Sequence, residues 1–175
     1  MDVKDCYASC IVDFKMTSAL AEGSVNIPYD WVMGFRPKIW YENNKNNFKM
    51  KFGHKIKEFY TTLPKYAIWP GQTVGNGYTN FNCGHMAAHY VANKIKADEI
   101  HMYGFDSLFD MNLRSYTDLV LQSDRGAVNN VRLNDKWRPI WMNIFKEFKD
   151  TKWVLHHNHD ELKFTKGDNV EIFVH

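Results

Sequence analysis

The stretch from Asn82 to Ser107 constrains the fold more than any other part of the chain. Asn82 carries a side-chain oxygen suited to cap a helix. The body that follows, Cys83 to Lys96, brings Met86, Tyr90, Val91 and Ile95 close to one face. After Asp98, the run from Glu99 to Phe105 alternates polar and apolar residues as a strand does. Asp106 and Ser107 come directly after it, where open α/β sheets gather ligand-binding groups at strand C-termini. A capped helix followed at once by such a strand is the unit from which layered α/β folds are made.

The rest of the chain is compatible with that unit. Cys6 to Phe14 and Tyr29 to Trp40 have the β-branched and aromatic enrichment of strands, with Gly34 and Pro37 limiting the second. Asn43 to Tyr60 places Phe48, Phe52, Ile56, Phe59 and Tyr60 at helical spacing, which predicts a basic amphipathic helix ended before Pro64. Tyr66 to Trp69 reads as a short strand and Gly71 to Asn82 as a glycine- and asparagine-rich loop. Asp135 to Lys149 predicts a helix beginning near Trp137, so that Pro139 lies in its first turn. Trp153 to His156 and Val170 to His175 read as two final strands. The alternation implies an α/β, three-layer, Rossmann-like fold with a mainly parallel sheet, one nucleotide-binding domain over residues 1–175.

Charge and composition narrow the function. Twenty-two Lys and Arg against 20 Asp and Glu leave a formal charge of +2, too little for a protein that works by neutralising many nucleic-acid phosphates. No apolar run approaches the roughly 20 residues of a membrane span, and Met1 to Asp5 does not open a signal peptide. A cytoplasmic protein without nucleic-acid or membrane partners is expected. Cys6, Cys10 and Cys83 are odd in number and lack CxxC spacing, which suits reduced thiols.

A glycine-rich loop feeding a helix start exposes unpaired amides and the positive end of the helix dipole, the geometry that binds phosphate. Asn82, Cys83 and Gly84 are the candidate anion contacts, and His85 is placed to donate a hydrogen bond or move a proton. A well-capped helix with an incidental glycine is the structural alternative. Of the five arginines, Arg114, Arg125, Arg132 and Arg138 cluster after Asp106. Arg114 and Arg138 are the candidates to fold over a phosphate, while Arg125 and Arg132 fit surface ion pairs. His85 and His89 stand four apart on one helix, and His156, His157 and His159 follow a strand. The HxxxH pair lacks the glutamate of a metalloprotease motif and no carboxylate has a clear third-ligand spacing, so no metal is expected. Adjacent strand residues point to opposite faces, so at most one of His156 and His157 faces a cleft, and His157 is the reserve candidate for a general base. Cys83 beside His85 also raises a thiol nucleophile, though two residues on one helical turn orient that pair poorly.

The run NCGHMAAHYVANKIKADEIHMYGFDS resembles the core of sialyltransferase-like glycosyltransferases and the related motility-associated glycosyltransferase-like proteins. It is also similar to a set of small phage proteins with that core. The resemblance implies a modified Rossmann fold with a nucleotide or nucleotide-sugar against Asn82, Cys83 and Gly84, and Asp106 and Ser107 at its edge. It implies metal-independent glycosyl transfer without a further cofactor, with His85 or His157 as base. The alternative is a non-catalytic phage protein that sequesters a nucleotide signal. Cys83 stands where such enzymes usually have serine, and Val12-Asp13-Phe14 runs into Lys15-Met16-Thr17 without the glycine turn expected after the first strand.

Six Trp, nine Tyr and 12 Phe make 15% of the chain aromatic, a density that composition alone does not explain. Trp31, Trp40, Trp137, Trp141 and Trp153 fit core packing or a contact between copies in a homo-oligomer. Trp69, Tyr78, Phe81, Tyr103 and Phe105 bracket the expected anion site, with Tyr78 and Phe105 the nearest candidates to stack on a base.

Overall fold

Among the described residues every strand pairing between elements is parallel. The computed structural model describes residues 5–44, 53–68, 81–109 and 137–175. It divides the chain into two compact units, Met1–Tyr90 and Val91–His175.

The first unit holds β1 (Ser9–Ile11), α1 (Phe14–Glu22), β2 (Trp31–Met33), α2 (Phe35–Asn44), β3 (Ile56–Phe59) and α3 (Cys83–Tyr90), with the sheet in the order β1-β2-β3. Ser9 lies opposite Trp31, and Trp31 opposite Ile56. The central strand is buried along its whole length, as a parallel strand covered on both faces must be. Ile11, Leu20, Trp31 and Met33 form the core of this unit. Helix α1 starts where Asp13 accepts from the Lys15 amide at 2.8 Å. It stops at Gly23, whose φ of 78° allows Ser24 to donate back to the Ala19 carbonyl at 3.0 Å.

Several expectations are corrected in this unit. The strand expected over Cys6 to Phe14 is confined to Ser9–Ile11, because Asp13 caps a helix rather than ending a strand. The strand expected over Tyr29 to Trp40 ends at Met33. Pro37 instead falls in the first turn of α2, where its missing N–H costs no helical bond. The helix expected over Asn43 to Tyr60 is replaced by the end of α2, a 3₁₀ turn at Gly53–Lys55 and strand β3. Its residues 45–52 lie outside the described residues. Ile56 and Phe59 fit helical spacing, but pairing with buried β2 outweighs that local preference. Lys65–Ala67 is a 3₁₀ turn where a strand was expected, begun by Pro64. Trp69 and the loop residues 71–80 lie outside the described residues.

The second unit holds β4 (Glu99–Tyr103), α4 (Trp137–Glu147), β5 (Lys152–His157) and β6 (Val170–Val174), in the order β4-β5-β6. It opens with a π-helical turn, Val91–Ile95, continuous in sequence with α3. These strands follow the expectation closely, as does the start of α4 at Trp137. One face of the sheet is apolar: Trp153 and Leu155 are buried, and Phe145 of α4 packs on Trp153 with ring centroids 5.1 Å apart. Asn169 ties the end of α4 to the sheet, its amide donating to the carbonyls of Phe145, Phe148 and Thr151 at 2.9, 3.2 and 3.3 Å. The other face carries Glu99, His101 and Tyr103, Lys152 and His156, and Glu171, Phe173 and His175.

Among the described residues no helix is long and apolar enough to cross a membrane.

Candidate functional site

Four of the residues expected at a binding site come together at the C-terminal ends of β4 and β5. Gly104, with φ of 76°, turns the chain out of β4 into a 3₁₀ turn, Asp106–Leu108. From there Asp106 reaches His157, the last residue of β5, with Oδ1 3.3 Å from Nδ1. Ser107 offers its carbonyl to Arg138 Nε, in the first turn of α4, at 3.2 Å. Among the described residues Arg138 Nη2 is buried without a hydrogen-bond partner, a costly arrangement for a charged donor.

The contacts fix the protons on the imidazoles. Phe109 stacks on His157 with centroids 4.1 Å apart and planes 14° from parallel, holding the ring flat. His159 Nδ1 accepts the Glu161 amide at 3.2 Å, so neutral His159 carries its proton on Nε2. That proton points to His157 Nε2, 3.2 Å away. His157 therefore accepts at Nε2, and its Nδ1 faces the Asp106 carboxylate 3.3 Å away. This is an imidazole beside a carboxylate, an arrangement suited to a general base, with its Nε2 lone pair covered by His159. Phe109 and His159 were not among the expected site residues. An aromatic shortly after Gly-Phe-Asp-Ser and a His-x-His at a strand end were the signals for them.

In the first unit, the start of α3 is occupied by its own cap. Asn82 Oδ1 accepts the His85 amide at 2.9 Å, and His85 Nδ1 accepts the Asn82 amide at 3.2 Å. This is a reciprocal capping box with histidine in the place usually held by glutamate or glutamine. His85 is fully buried and stacks on Phe81, centroids 5.7 Å apart. His89 is buried too, with Nδ1 2.7 Å from the Tyr60 hydroxyl. Cys83 is exposed at the first turn, yet crowding of its sulfur raises the thiol's pKa. The amide of Val12 works against that rise and the Asp13 carboxylate adds to it. An activated thiolate is the opposite case.

A crevice lies at the C-terminal ends of the first sheet, lined by Val12, Gly34, Tyr60, Thr62, Phe81 and Met86. Its free space is about 10 Å³, room for one water rather than a nucleotide. The approach is tight because a Cβ on Gly34 would stand 2.9 Å from Met86 Sδ.

Phe105 packs edge-on against Trp141 at 5.2 Å, as part of the core of the second unit. Tyr103 lies on the open sheet face. Tyr78 and Arg114 lie outside the described residues, as do Arg125 and Arg132. Among the described residues no group of three or more His, Cys, Asp or Glu is arranged to hold a metal ion. Comparison with protein families, with curated proteins and with solved structures finds no match.

Proposed function

We propose that the chain is a Rossmann-like nucleotide-binding protein that transfers a glycosyl group from a nucleotide-sugar, with His157 as the general base. The observation that carries the proposal is the meeting of Asp106, Ser107, Arg138 and His157 at the C-terminal ends of two parallel strands. Doubly wound folds use such strand ends for ligands. The fold reading is supported by two parallel sheets, each with its strands in sequential order, the order of the two halves of such a fold.

In this reading the acceptor hydroxyl displaces His159 from His157 Nε2 and gives its proton there. The acceptor oxygen forms a bond to the anomeric carbon while the bond from that carbon to the phosphate oxygen breaks. Asp106 stabilises the imidazolium, and Arg138 receives the charge left on the phosphate. The base role passes to His157 because His85 is buried inside its own capping box.

A non-catalytic nucleotide-binding protein is the second reading, favoured by the His159 proton that covers the His157 lone pair. Incubation with a panel of nucleotide-sugars separates the two. Slow release of free nucleotide, lost in His157→Gln with ligand affinity kept, supports transfer; binding with intact ligand recovered supports the second reading.

A further inference from the structure

The open face of the second sheet carries a second histidine group, separate from His157. Glu99 Oε1 lies 2.7 Å from His101 Nε2, His101 Nδ1 lies 2.8 Å from His156 Nε2, and His156 Nδ1 lies 2.9 Å from His175 Nε2. One carboxylate and three imidazoles thus form a continuous row across β4, β5 and the residue after β6. Tyr103 lies flat on His156 with centroids 4.0 Å apart, and Phe173 flanks it at 5.2 Å.

The carboxylate sets every proton. Ionised Glu99 only accepts, so His101 is protonated on Nε2 and offers its Nδ1 lone pair to His156. His156 is then protonated on Nε2 and accepts at Nδ1 from His175. In the neutral row every facing N–H has an acceptor. One added proton fits on the outer nitrogen of His175 without breaking a link. A second must enter a nitrogen that already accepts an N–H, and that severs the row at His156.

We propose that this row is a proton-sensitive clasp that fastens the edge strand β6 to β5 and β4 near neutral pH and lets it go on acidification. The charged groups sharing the face leave a second positive charge uncompensated. Glu99 and Glu171 are both engaged by Lys152, at 3.3 and 3.1 Å, and Glu99 is also bonded to His101. Desolvation and then the neighbouring His101 and His175 lower the pKa of His156 in the folded protein, in line with a ring that resists charging.

The sign and size follow from proton counting. Release of the strand breaks only the His156–His175 link, which frees His175 and His156 Nδ1 to take a proton each near pH of about 6.5, whereas the intact row holds one, so opening takes up one more. The clasp is therefore secure above about pH 6.5 and weakens as pH falls below it. At pH 5.5 that extra proton favours opening about tenfold.

Hydrogen exchange of the Val170–Val174 amides in the full chain, corrected for intrinsic rates, tests this between pH 7.5 and 5.5. The expected result is a loss of protection of about tenfold in the wild type. It shrinks to less than about threefold in His156→Phe, which keeps a ring against Tyr103 but has no protons to share. Equal pH dependence in the two proteins overturns the proposal. If His156→Phe does not fold, histidine NMR titration of the wild type decides. Linked curves with His156 charging below pH 6.5 support the clasp, and three independent curves with ordinary midpoints overturn it.

Discussion

The capping box at the start of α3 makes a prediction that separates a structural helix terminus from an anion site. Replacing Asn82 by Ala removes the acceptor that holds the His85 amide at 2.9 Å, while the return bond from the Asn82 backbone to His85 Nδ1 is kept. Loss of an N-cap acceptor costs about 1 kcal/mol, within a range of 0.5–2, and Gly at the same position costs only a few tenths. For a domain of this length that is a fall in Tm of about 2–4 °C for Ala. Asn82→Asp keeps the acceptor and adds a charge that the helix dipole favours by about 0.3–1 kcal/mol. The order of stability, by thermal and urea denaturation, is then Asp, Asn, Gly, Ala. The same Asp variant would repel a phosphate seated at this helix start. An unchanged nucleotide affinity is expected, because the proposed phosphate contact is Arg138. Equal stability of the Asn and Ala proteins, or loss of nucleotide binding on introducing Asp, would refute this reasoning.

Other perturbations follow from the packing. Gly34→Ala forces a Cβ to within 2.9 Å of buried Met86 Sδ and 3.2 Å of Val12, and should lower stability by about 1–3 kcal/mol in urea denaturation. Asn169→Ala leaves three carbonyls at the end of α4 without their shared donor and should cost about 1–3 kcal/mol, with hydrogen exchange accelerated first in the last turn of α4. Burial lifts the Cys10 thiol to about 12, and Cys83 is also raised. Iodoacetamide at pH 8 should therefore label exposed Cys6 before Cys83, and Cys10 last, as followed by mass spectrometry.

The second unit was far more legible in the sequence than the first. Glu99–Tyr103, Lys152–His157 and Val170–Val174 each carry alternating or β-branched runs bounded by turn residues, and Pro139 marks the first turn of α4. In the first unit the strands are three or four residues long, too short for periodicity to speak. Helix α1 had local signals in Asp13 and Gly23, with Met16 and Leu20 one turn apart, that the aromatic run before it obscured. The helix expected to contain Ile56 and Phe59 failed because burial against β2 decided the conformation.

The candidate site divides along a similar line. Asp106, Ser107 and Arg138 were readable because strand ends and arginines have a general use, and His157 because alternation allowed it one face. The role of His85 depended on a tertiary fact, its complete burial, that helix spacing does not carry. The imidazole row was hidden because His101, His156 and His175 lie far apart in sequence and meet only through the strand register.

Isothermal titration of the wild type and Arg138→Gln with nucleotide-sugars and their free nucleotides bears most directly on the proposed function. At least one nucleotide should bind the wild type. Losing the charge of Arg138 should weaken it about tenfold or more, equivalent to about 1.4 kcal/mol. Absence of binding by every nucleotide, or equal affinity for the two proteins, would contradict the account.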